Sequence, residues 1–324
     1  MNHHPSLASS NTASALVYSL DDDDAYRRWR DAKLARYPRR AEDLLVDVRD
    51  PRRLSAGEAE KIRSICRDAN MAIYASPSAG VADKDLARRV GEQVGLRRFD
   101  ANLLADDDGI TSLRVMPVKS ARGYIPYSNR RLQWHTDGYY NAPQRRIGAF
   151  ILHCVRPAAD GGVNQLLDHE IAYILLRDAS PDFIRVLSLP DAMTIPANTE
   201  AGVEERPAQT GPVFSVDAAS GCLHMRYTAR TRSIEWRRDD STQAALRFLE
   251  QLLAGGSPYV FAHRLEGGQG LVCNNVLHNR SDFIDAPEGE RTRLIYRARY
   301  YDRVADTGCA AARSDSASIA QGNA

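Results

Sequence analysis

The sequence predicts an α+β fold in which helices flank an antiparallel β-sandwich or barrel. From residue 113 onward, short apolar runs such as IGAFILHCV, CLHMRY and RLIYRARYY alternate with segments rich in Gly, Pro and Asp. Regular helices do not separate these runs, which disfavours a doubly wound parallel sheet. Neither an internal repeat nor a linker-like segment divides the 324 residues. A single domain is therefore predicted.

The predicted helices rest on capping and charge patterns. Ser55 and Glu58 have the spacing of a capping box, and Gly95 is placed to end another helix. Pro181 is expected to interrupt a later helix. The predicted helices cover residues 21–37, 55–70, 83–94, 170–187 and 241–253, and a short strand is predicted at 71–74.

The two ends of the chain differ in composition from its centre. Residues 1–20 and 304–324 are rich in Ser, Asn and Ala. Such segments bury little apolar surface, so both are expected to be flexible. The folded domain, with a helical amino-terminal part, is accordingly predicted at residues 21–303.

Charge and cysteine usage bear on partners and compartment. With 43 Lys+Arg and 42 Asp+Glu, the chain has no overall basic field for a nucleic acid or an anionic membrane. The five cysteines are widely spaced and include no CxxC pair, which argues against a disulfide framework. No apolar stretch approaches the roughly 20 residues of a membrane span. We expect a cytoplasmic protein with a small-molecule partner, and homo-oligomerisation is left open.

One segment carries a metal-binding pattern. In LQWHTDGYY, His135 and Asp137 are two residues apart, and alternate side chains of an extended segment project to one face. A later predicted strand ends at His278. Two histidines and one carboxylate with open coordination positions are typical of non-haem Fe(II) oxygenases. The H-x-D pattern alone also fits a hydrogen-bonded turn or a zinc hydrolase site.

An arginine-bearing strand follows His278. The segment RTRLIYRARYY contains four arginines at alternate or nearly alternate positions. A guanidinium binds a carboxylate through two parallel hydrogen bonds and stays charged when buried. Zinc hydrolysis does not need such a group, so this strand disfavours a zinc hydrolase.

Three segments together resemble a known family. WHTDGYY, LHCVRPAADGGVNQLLD and NNVLHNRSDF followed by RTRLIYR are similar, in order and spacing, to the taurine dioxygenase (TauD/TfdA) family and its longer relatives such as gamma-butyrobetaine hydroxylase. The resemblance covers about residues 113–302. It implies a double-stranded β-helix (jelly roll) core and an Fe(II)- and 2-oxoglutarate-dependent dioxygenase. Such an enzyme uses O2 to hydroxylate a small polar metabolite and releases succinate and CO2. The alternative is a non-catalytic jelly-roll metabolite-binding protein.

The resemblance also implies roles for single residues. The implied iron ligands are His135, Asp137 and His278. Arg293 aligns with the arginine that holds the far carboxylate of 2-oxoglutarate, and Arg291 is the competing candidate. Asn164 stands where taurine dioxygenase has a co-substrate-binding threonine, and an amide can still donate to a carboxylate. Asn274-Asn275 replaces the family's Asp-Asn, which removes a charge expected near the metal.

The predicted substrate contacts leave alternatives open. Arg297, on the same strand face as Arg293, aligns with the sulfonate-binding arginine of taurine dioxygenase. The other predicted contacts follow the metal motif or lie in LHMRYTARTRSIEW, and they are Tyr139, Asn141, Arg226 and Tyr227. The arginines of that segment, which continue to Arg232, would hold an anionic substrate or form an outer solvated face. The tyrosines would instead suit a quaternary ammonium group. We expect an anionic or zwitterionic substrate.

Overall fold

The computed structural model of the protein describes residues 17–100, 109–116, 125–200, 203–230, 234–285 and 292–308. Within these residues the α-helices are α1 (Asp23–Arg36), α2 (Ala56–Ala69), α3 (Asp85–Gln93), α4 (His169–Ala179), α5 (Pro181–Leu187) and α6 (Asp240–Ala254). All five predicted helical segments are present. The fourth is divided at Pro181, as predicted, because proline cannot donate the backbone hydrogen bond that would continue α4.

Two sheets form the centre of the fold. The six-stranded sheet contains β1 (Leu45–Asp47), β2 (Met71–Ala75), β3 (Thr111–Leu113), β5 (Ala149–Arg156), β16 (Gln269–Cys273) and β19 (Leu294–Tyr300), in the order β1-β2-β16-β5-β19-β3. The four-stranded sheet contains β4 (Leu132–His135), β7 (Asn164–Leu167), β15 (Phe261–His263) and β17 (Leu277–Arg280), in the order β15-β7-β17-β4. All pairs are antiparallel except β1 with β2.

Shorter strands form ribbons beside these sheets. β6 (Asp160–Gly161) pairs with β18 (Phe283–Ile284), and β9 (Asn198–Glu200) pairs with β10 (Val203–Arg206). β8 (Met193–Ile195) lies between β11 (Gln209–Gly211) and β14 (Glu235–Trp236), and β12 (Phe214–Val216) pairs with β13 (Leu223–Met225).

The two large sheets face each other. The rings of Phe150 on β5 and His278 on β17 lie 4.7 Å apart across the interior. Two mainly antiparallel sheets packed in this way form a double-stranded β-helix, or jelly roll. The predicted fold class, a jelly roll with flanking helices, is confirmed.

Helices cover the outer faces of both sheets. α2 packs against β2, and α3 packs against β5 and β19. The indole N–H of Trp134 donates to the Leu253 carbonyl at 3.1 Å, so α6 lies outside the four-stranded sheet. The inner faces are thereby left for the site. In the part of the chain that the structure describes, no helix has the length and apolar character needed to cross a membrane.

Local sequence signals set the ends of the first helices. Ser55 Oγ accepts from the Glu58 N–H at 3.2 Å, and Glu58 Oε2 accepts from the Ser55 N–H at 2.6 Å. The predicted capping box is therefore present. Gly95, just after α3, has φ +92°, the left-handed conformation expected at a helix end.

A buried ionic cluster attaches α1 to the start of α4. Lys33 Nζ lies 2.7 Å from Asp168 Oδ2 and 2.6 Å from Glu170 Oε2, and all three side chains are buried. Tyr18 donates to Glu170 Oε1 at 3.0 Å. Because a buried charge is costly without a partner, this cluster fixes the position of α1 against the remainder of the domain.

The packed region extends beyond the predicted limits of 21–303. Tyr18 is buried against α4, and Val304 is 2% exposed. Thr307 Oγ1 accepts from Asn274 Nδ2 at 3.0 Å. These residues pack because each has a buried partner, although the surrounding composition is polar. The remaining residues of the predicted flexible ends, 1–16 and 309–324, lie outside the described residues.

Candidate active site

His135, Asp137 and His278 converge on the inner face of the four-stranded sheet. His135 on β4 is the register partner of His278 on β17, so both side chains project to the same face. Their Nε2 atoms lie 3.5 Å and 3.9 Å from Asp137 Oδ1. One donor atom from each of the three residues falls within 4.8 Å of the others, and all three residues are buried. The structure thus brings together the three predicted iron ligands.

The hydrogen bonds of the two histidines leave their inner nitrogens free. His135 Nδ1 lies 2.9 Å from the Gln133 carbonyl, and His278 Nδ1 lies 3.0 Å from the Val276 carbonyl. Because a carbonyl can only accept, each Nδ1 carries the proton and each Nε2 keeps its lone pair. Burial lowers the pKa of His278 to about 3, so this imidazole is neutral at physiological pH.

The Asp137 carboxylate completes a donor set suited to Fe(II). Its Oδ2 atom is buried and accepts no hydrogen bond from the described residues. Burial alone would raise the pKa of Asp137, but the positive charge of Arg297 holds it well below its usual range. Two imidazole Nε2 donors and one ionised carboxylate, with open positions, fit a non-haem Fe(II) centre.

Asn275 positions the backbone of Asp137, a role that the sequence did not indicate. Asn275 Oδ1 accepts from the Asp137 N–H at 2.7 Å, and Asn275 Nδ2 donates to the Asp137 carbonyl at 3.0 Å. Its φ is +52°, a conformation that asparagine tolerates better than most residues. Asn274, where the family has aspartate, instead bonds Asn70 and Thr307. The position at which the family carries a charge is therefore part of a packing contact near the carboxyl-terminal segment.

Arg293 lies just before β19 as a buried cation that forms no ion pair with the residues that the structure describes. The residue is 6% exposed, and its Nη1 atom has no hydrogen-bond partner in the described part of the chain. The guanidinium stacks 4.9 Å from the centre of the Phe283 ring. Burial lowers the pKa of Arg293 to about 10. A buried guanidinium of this kind fits the far carboxylate of 2-oxoglutarate.

A second buried arginine beside Arg293 was missed by the sequence analysis. Arg280 lies two residues after His278 on β17, and its guanidinium stacks 4.7 Å from the same Phe283 ring. Its Nη2 atom donates to the Ser128 carbonyl at 2.9 Å. Burial, and then the charge of Arg293, lower the pKa of Arg280 to about 9. The two-residue spacing from His278, which gives both side chains one strand face, was the available signal.

Of the other two predicted co-substrate residues, Asn164 and Arg291, the structure describes only Asn164. Asn164 begins β7 and is the register partner of Arg280, which places it beside that buried cation. An added Cβ at Gly162 would lie 4.0 Å from Arg293 Nε, so the Gly161-Gly162 turn closely approaches that side chain. Arg291 lies outside the described residues.

Arg297, predicted as a substrate anchor, lies against the metal carboxylate. Its Nη1 atom is 3.4 Å from Asp137 Oδ2, and its Nε atom is buried without a hydrogen bond to the described residues. The guanidinium therefore balances the charge of Asp137. Its contact with a substrate stays a prediction.

Three of the other predicted substrate residues adjoin the metal motif, and one does not. The Tyr139 ring is edge-on to His135, with 6.4 Å between ring centres. Arg226 Nε donates to the Tyr139 carbonyl at 2.7 Å, and Asn141 lines the same cavity as Arg226.

Tyr227 is not brought to the site. Thr228 pairs with His135, so the side chain of Tyr227 lies on the opposite face of the segment. It is 2% exposed and packs 6.1 Å from Trp236, under the outer layer. Arg232 lies outside the described residues.

Fold and site together define a class of protein. A jelly roll that carries two histidines and one carboxylate on its inner face, beside a buried arginine, is the architecture of non-haem Fe(II) oxygenases. The model of the taurine catabolism dioxygenase TauD, TfdA family matches residues 32–299, and the chain belongs to this family. The protein is an Fe(II)- and 2-oxoglutarate-dependent dioxygenase that uses O2. The resemblance predicted from the sequence is confirmed.

Two uridine-5'-phosphate dioxygenases are similar to this chain in sequence. The chain is 29% identical over 276 residues to a uridine-5'-phosphate dioxygenase from Amycolatopsis sp, covering 79% of this chain and 97% of that protein. A uridine-5'-phosphate dioxygenase from Streptomyces sp is 28% identical over 239 residues, covering 70% and 84%.

Solved structures share the fold at lower identity. The non-haem iron oxygenase OrfP, in complex with Fe and alpha-ketoglutaric acid, superposes with a TM-score of 0.56 at 18% identity, covering 91% of this chain and 92% of that one. An asparagine oxygenase in complex with Fe(II), 3-hydroxyasparagine and succinate gives a TM-score of 0.55 at 15% identity, with the same coverage.

Proposed function

We propose that this dioxygenase hydroxylates a nucleoside 5'-monophosphate or a similar small molecule that carries a phosphate, with iron held by His135, Asp137 and His278. The observation that carries the site assignment is the convergence of two histidine Nε2 atoms on a buried carboxylate, with each Nδ1 bonded to a backbone carbonyl. Arg293, with Asn164 beside it, holds 2-oxoglutarate. The orphaned Nη1 atom of Arg293 supports this assignment.

Each residue of the site has a separate role in the reaction. When bound, iron, 2-oxoglutarate and O2 supply the oxidising chemistry, and succinate and CO2 are released. The two histidines are kept in one tautomer by backbone carbonyls, so their donor atoms need no proton loss before metal binding. Asn275 holds the Asp137 backbone, and Arg297 keeps the Asp137 carboxylate ionised. Phe150 packs against His278 and provides an apolar wall.

The substrate class rests on the named relatives. Both uridine-5'-phosphate dioxygenases are similar over most of their own length, 97% and 84%. An anionic substrate was also expected from the arginines around the site. A nucleoside monophosphate satisfies both considerations because it combines a phosphate with a ribose that offers several C–H bonds.

The proposal also covers location and assembly. We place the reaction in the cytoplasm, where the buried free thiols of Cys66, Cys154, Cys222 and Cys273 would stay reduced. The balanced charge supports a small molecule as partner, without nucleic acid or membrane, and leaves a homo-oligomer open. We also propose that the chain forms a single domain.

The test measures succinate formation from 2-oxoglutarate in the presence of Fe(II) and ascorbate. Wild-type protein should form succinate, and uridine-5'-phosphate should stimulate it. His135→Ala, Asp137→Ala and His278→Ala should each abolish turnover and weaken Fe(II) binding, because each removes one of three ligands. His153→Gln, at a buried histidine of β5 that contacts Tyr74 on the strand face opposite to Phe150, is the matched control. Normal activity in any ligand variant would remove that residue from the metal centre.

A further inference from the structure

A cavity of about 40 Å³ lies beside the metal motif. Gly138, the residue after Asp137, forms part of its wall, and basic or hydroxyl-bearing side chains form much of the remainder. We propose that this cavity binds the phosphate group of the substrate through Arg146, His224 and Arg226. The proposal rests on the proposed function and specifies where its substrate is held.

Arg226 supplies a fixed positive charge at this cavity. Its Nε atom donates to the Tyr139 carbonyl at 2.7 Å and its Nη2 atom to the Gln209 carbonyl at 2.5 Å. These partners are neutral, and Arg226 has no ion pair with any described residue. Backbone carbonyls orient the guanidinium without cancelling its charge, so an incoming anion meets a preorganised cation. Burial, followed by the charge of Arg206, lowers the pKa of Arg226 to about 10.

Arg146 and His224 add donors that have no other use in the described part of the chain. Neither side chain has a hydrogen bond or ion pair there, and both are only half-buried, so a ligand can reach them. Burial and the charge of Arg146 lower the pKa of His224 to about 3. Asp217 is the acidic group near Arg146; its carboxylate accepts two hydrogen bonds from Ser220 and keeps its charge, so it offsets only one of the two arginine charges. The cavity therefore concentrates positive charge.

The shape of the wall also suits a phosphate. At Gly211, an added Cβ would come within 3.1 Å of Arg226 Nη1, so a side chain there would crowd the guanidinium. The Ser215 hydroxyl lines the same space. Donors that come from separate segments of the chain can surround a tetrahedral group, whereas a planar carboxylate is satisfied by one guanidinium fork. The hydrogen bond from Arg226 to the Tyr139 carbonyl places this wall beside the segment that carries Asp137.

The test measures binding without turnover, by calorimetry on the anaerobic Fe(II) and 2-oxoglutarate complex. The probes are uridine-5'-phosphate, uridine and inorganic phosphate. Wild-type protein should bind uridine-5'-phosphate at least tenfold more tightly than uridine, and inorganic phosphate should compete with the nucleotide. Arg146→Gln should abolish most of this tenfold preference and leave uridine binding unchanged. Arg27→Gln, an exposed arginine of α1, is the matched control.

The outcomes separate this proposal from the proposed function. Arg226→Gln also removes hydrogen bonds to backbone carbonyls, so Arg146→Gln, which removes none among the described residues, carries the decision. Equal binding of nucleotide and nucleoside by wild type, no binding of either phosphate probe, or an unchanged preference in Arg146→Gln would overturn the phosphate site. Failure of wild type to form succinate would instead overturn the proposed function, whatever the binding results.

Discussion

Replacing Arg293 by methionine removes a buried cation and keeps a side chain of similar length. Burial lowers the pKa of Arg293 to about 10. The buried guanidinium therefore binds its proton more than a hundredfold more weakly than a free arginine does. At about 1.4 kcal/mol for each tenfold change, the cation costs roughly 3 kcal/mol in the ligand-free protein. Arg293→Met should therefore raise the unfolding temperature of the ligand-free protein.

The same substitution should abolish the stabilisation that 2-oxoglutarate gives to the protein. Leaving a buried carboxylate without its cation costs roughly 2–5 kcal/mol, equivalent to a loss in affinity of roughly 30-fold to several thousandfold. Calorimetric titration with 2-oxoglutarate and thermal unfolding with and without it measure both effects. Lysine should restore little, because it lacks the planar fork.

Arg156→Met is the matched control for this experiment. Arg156, at the end of β5, lies opposite Leu294 of β19. Its Nε atom donates to the Thr292 carbonyl at 3.1 Å. Its loss should change 2-oxoglutarate affinity by less than about twofold. Unchanged affinity in Arg293→Met would refute the reasoning, and loss of affinity in Arg291→Met instead would assign the role to Arg291.

Three further predictions concern other buried groups. Asn275→Ala should weaken Fe(II) binding, because unsatisfied buried backbone groups at Asp137 cost roughly 1–3 kcal/mol each; a metal titration equal to that of the parent would contradict this. Lys33→Met should lower the free energy of unfolding in urea by roughly 3–5 kcal/mol, since its two buried carboxylate partners lose their cation; a loss below about 1 kcal/mol would count against it. Burial lowers the pKa of His153 to about 4, so below about pH 6.5 the unfolded chain binds more protons and stability falls as the pH drops towards 4. His153→Gln should remove about 2 kcal/mol of the loss between pH 7.5 and pH 5, and an identical pH profile in the variant would exclude His153 as a cause.

The sequence was sufficient to predict features that depend on residues close together in the chain. Ser55 and Glu58 are three residues apart and form their box within one helical turn. His135 and Asp137 are two residues apart on one extended segment, so their convergence followed from strand geometry.

Contacts between residues far apart in the chain could not be predicted in this way. Asn275 contacts Asp137 from 138 residues away, and Arg280 reaches a carbonyl 152 residues away. Tyr227 was expected at the substrate, but its orientation depends on the pairing of Thr228 with His135, which fixes the inner face of the segment. Alternation shows which residues share a face, whereas only tertiary pairing decides which face is inside.

The register between β4 and β17 has a consequence for how this architecture can vary. A single residue inserted into or deleted from β17 would turn the side chain of His278 outward, since successive strand residues face opposite ways. The hydrophobic content would barely change, yet the metal centre would be lost. Length variation compatible with activity is thus confined to the connections, such as the segment between β18 and β19. Engineered changes of substrate preference should accordingly be introduced in loops, with the two histidine strands kept at constant length.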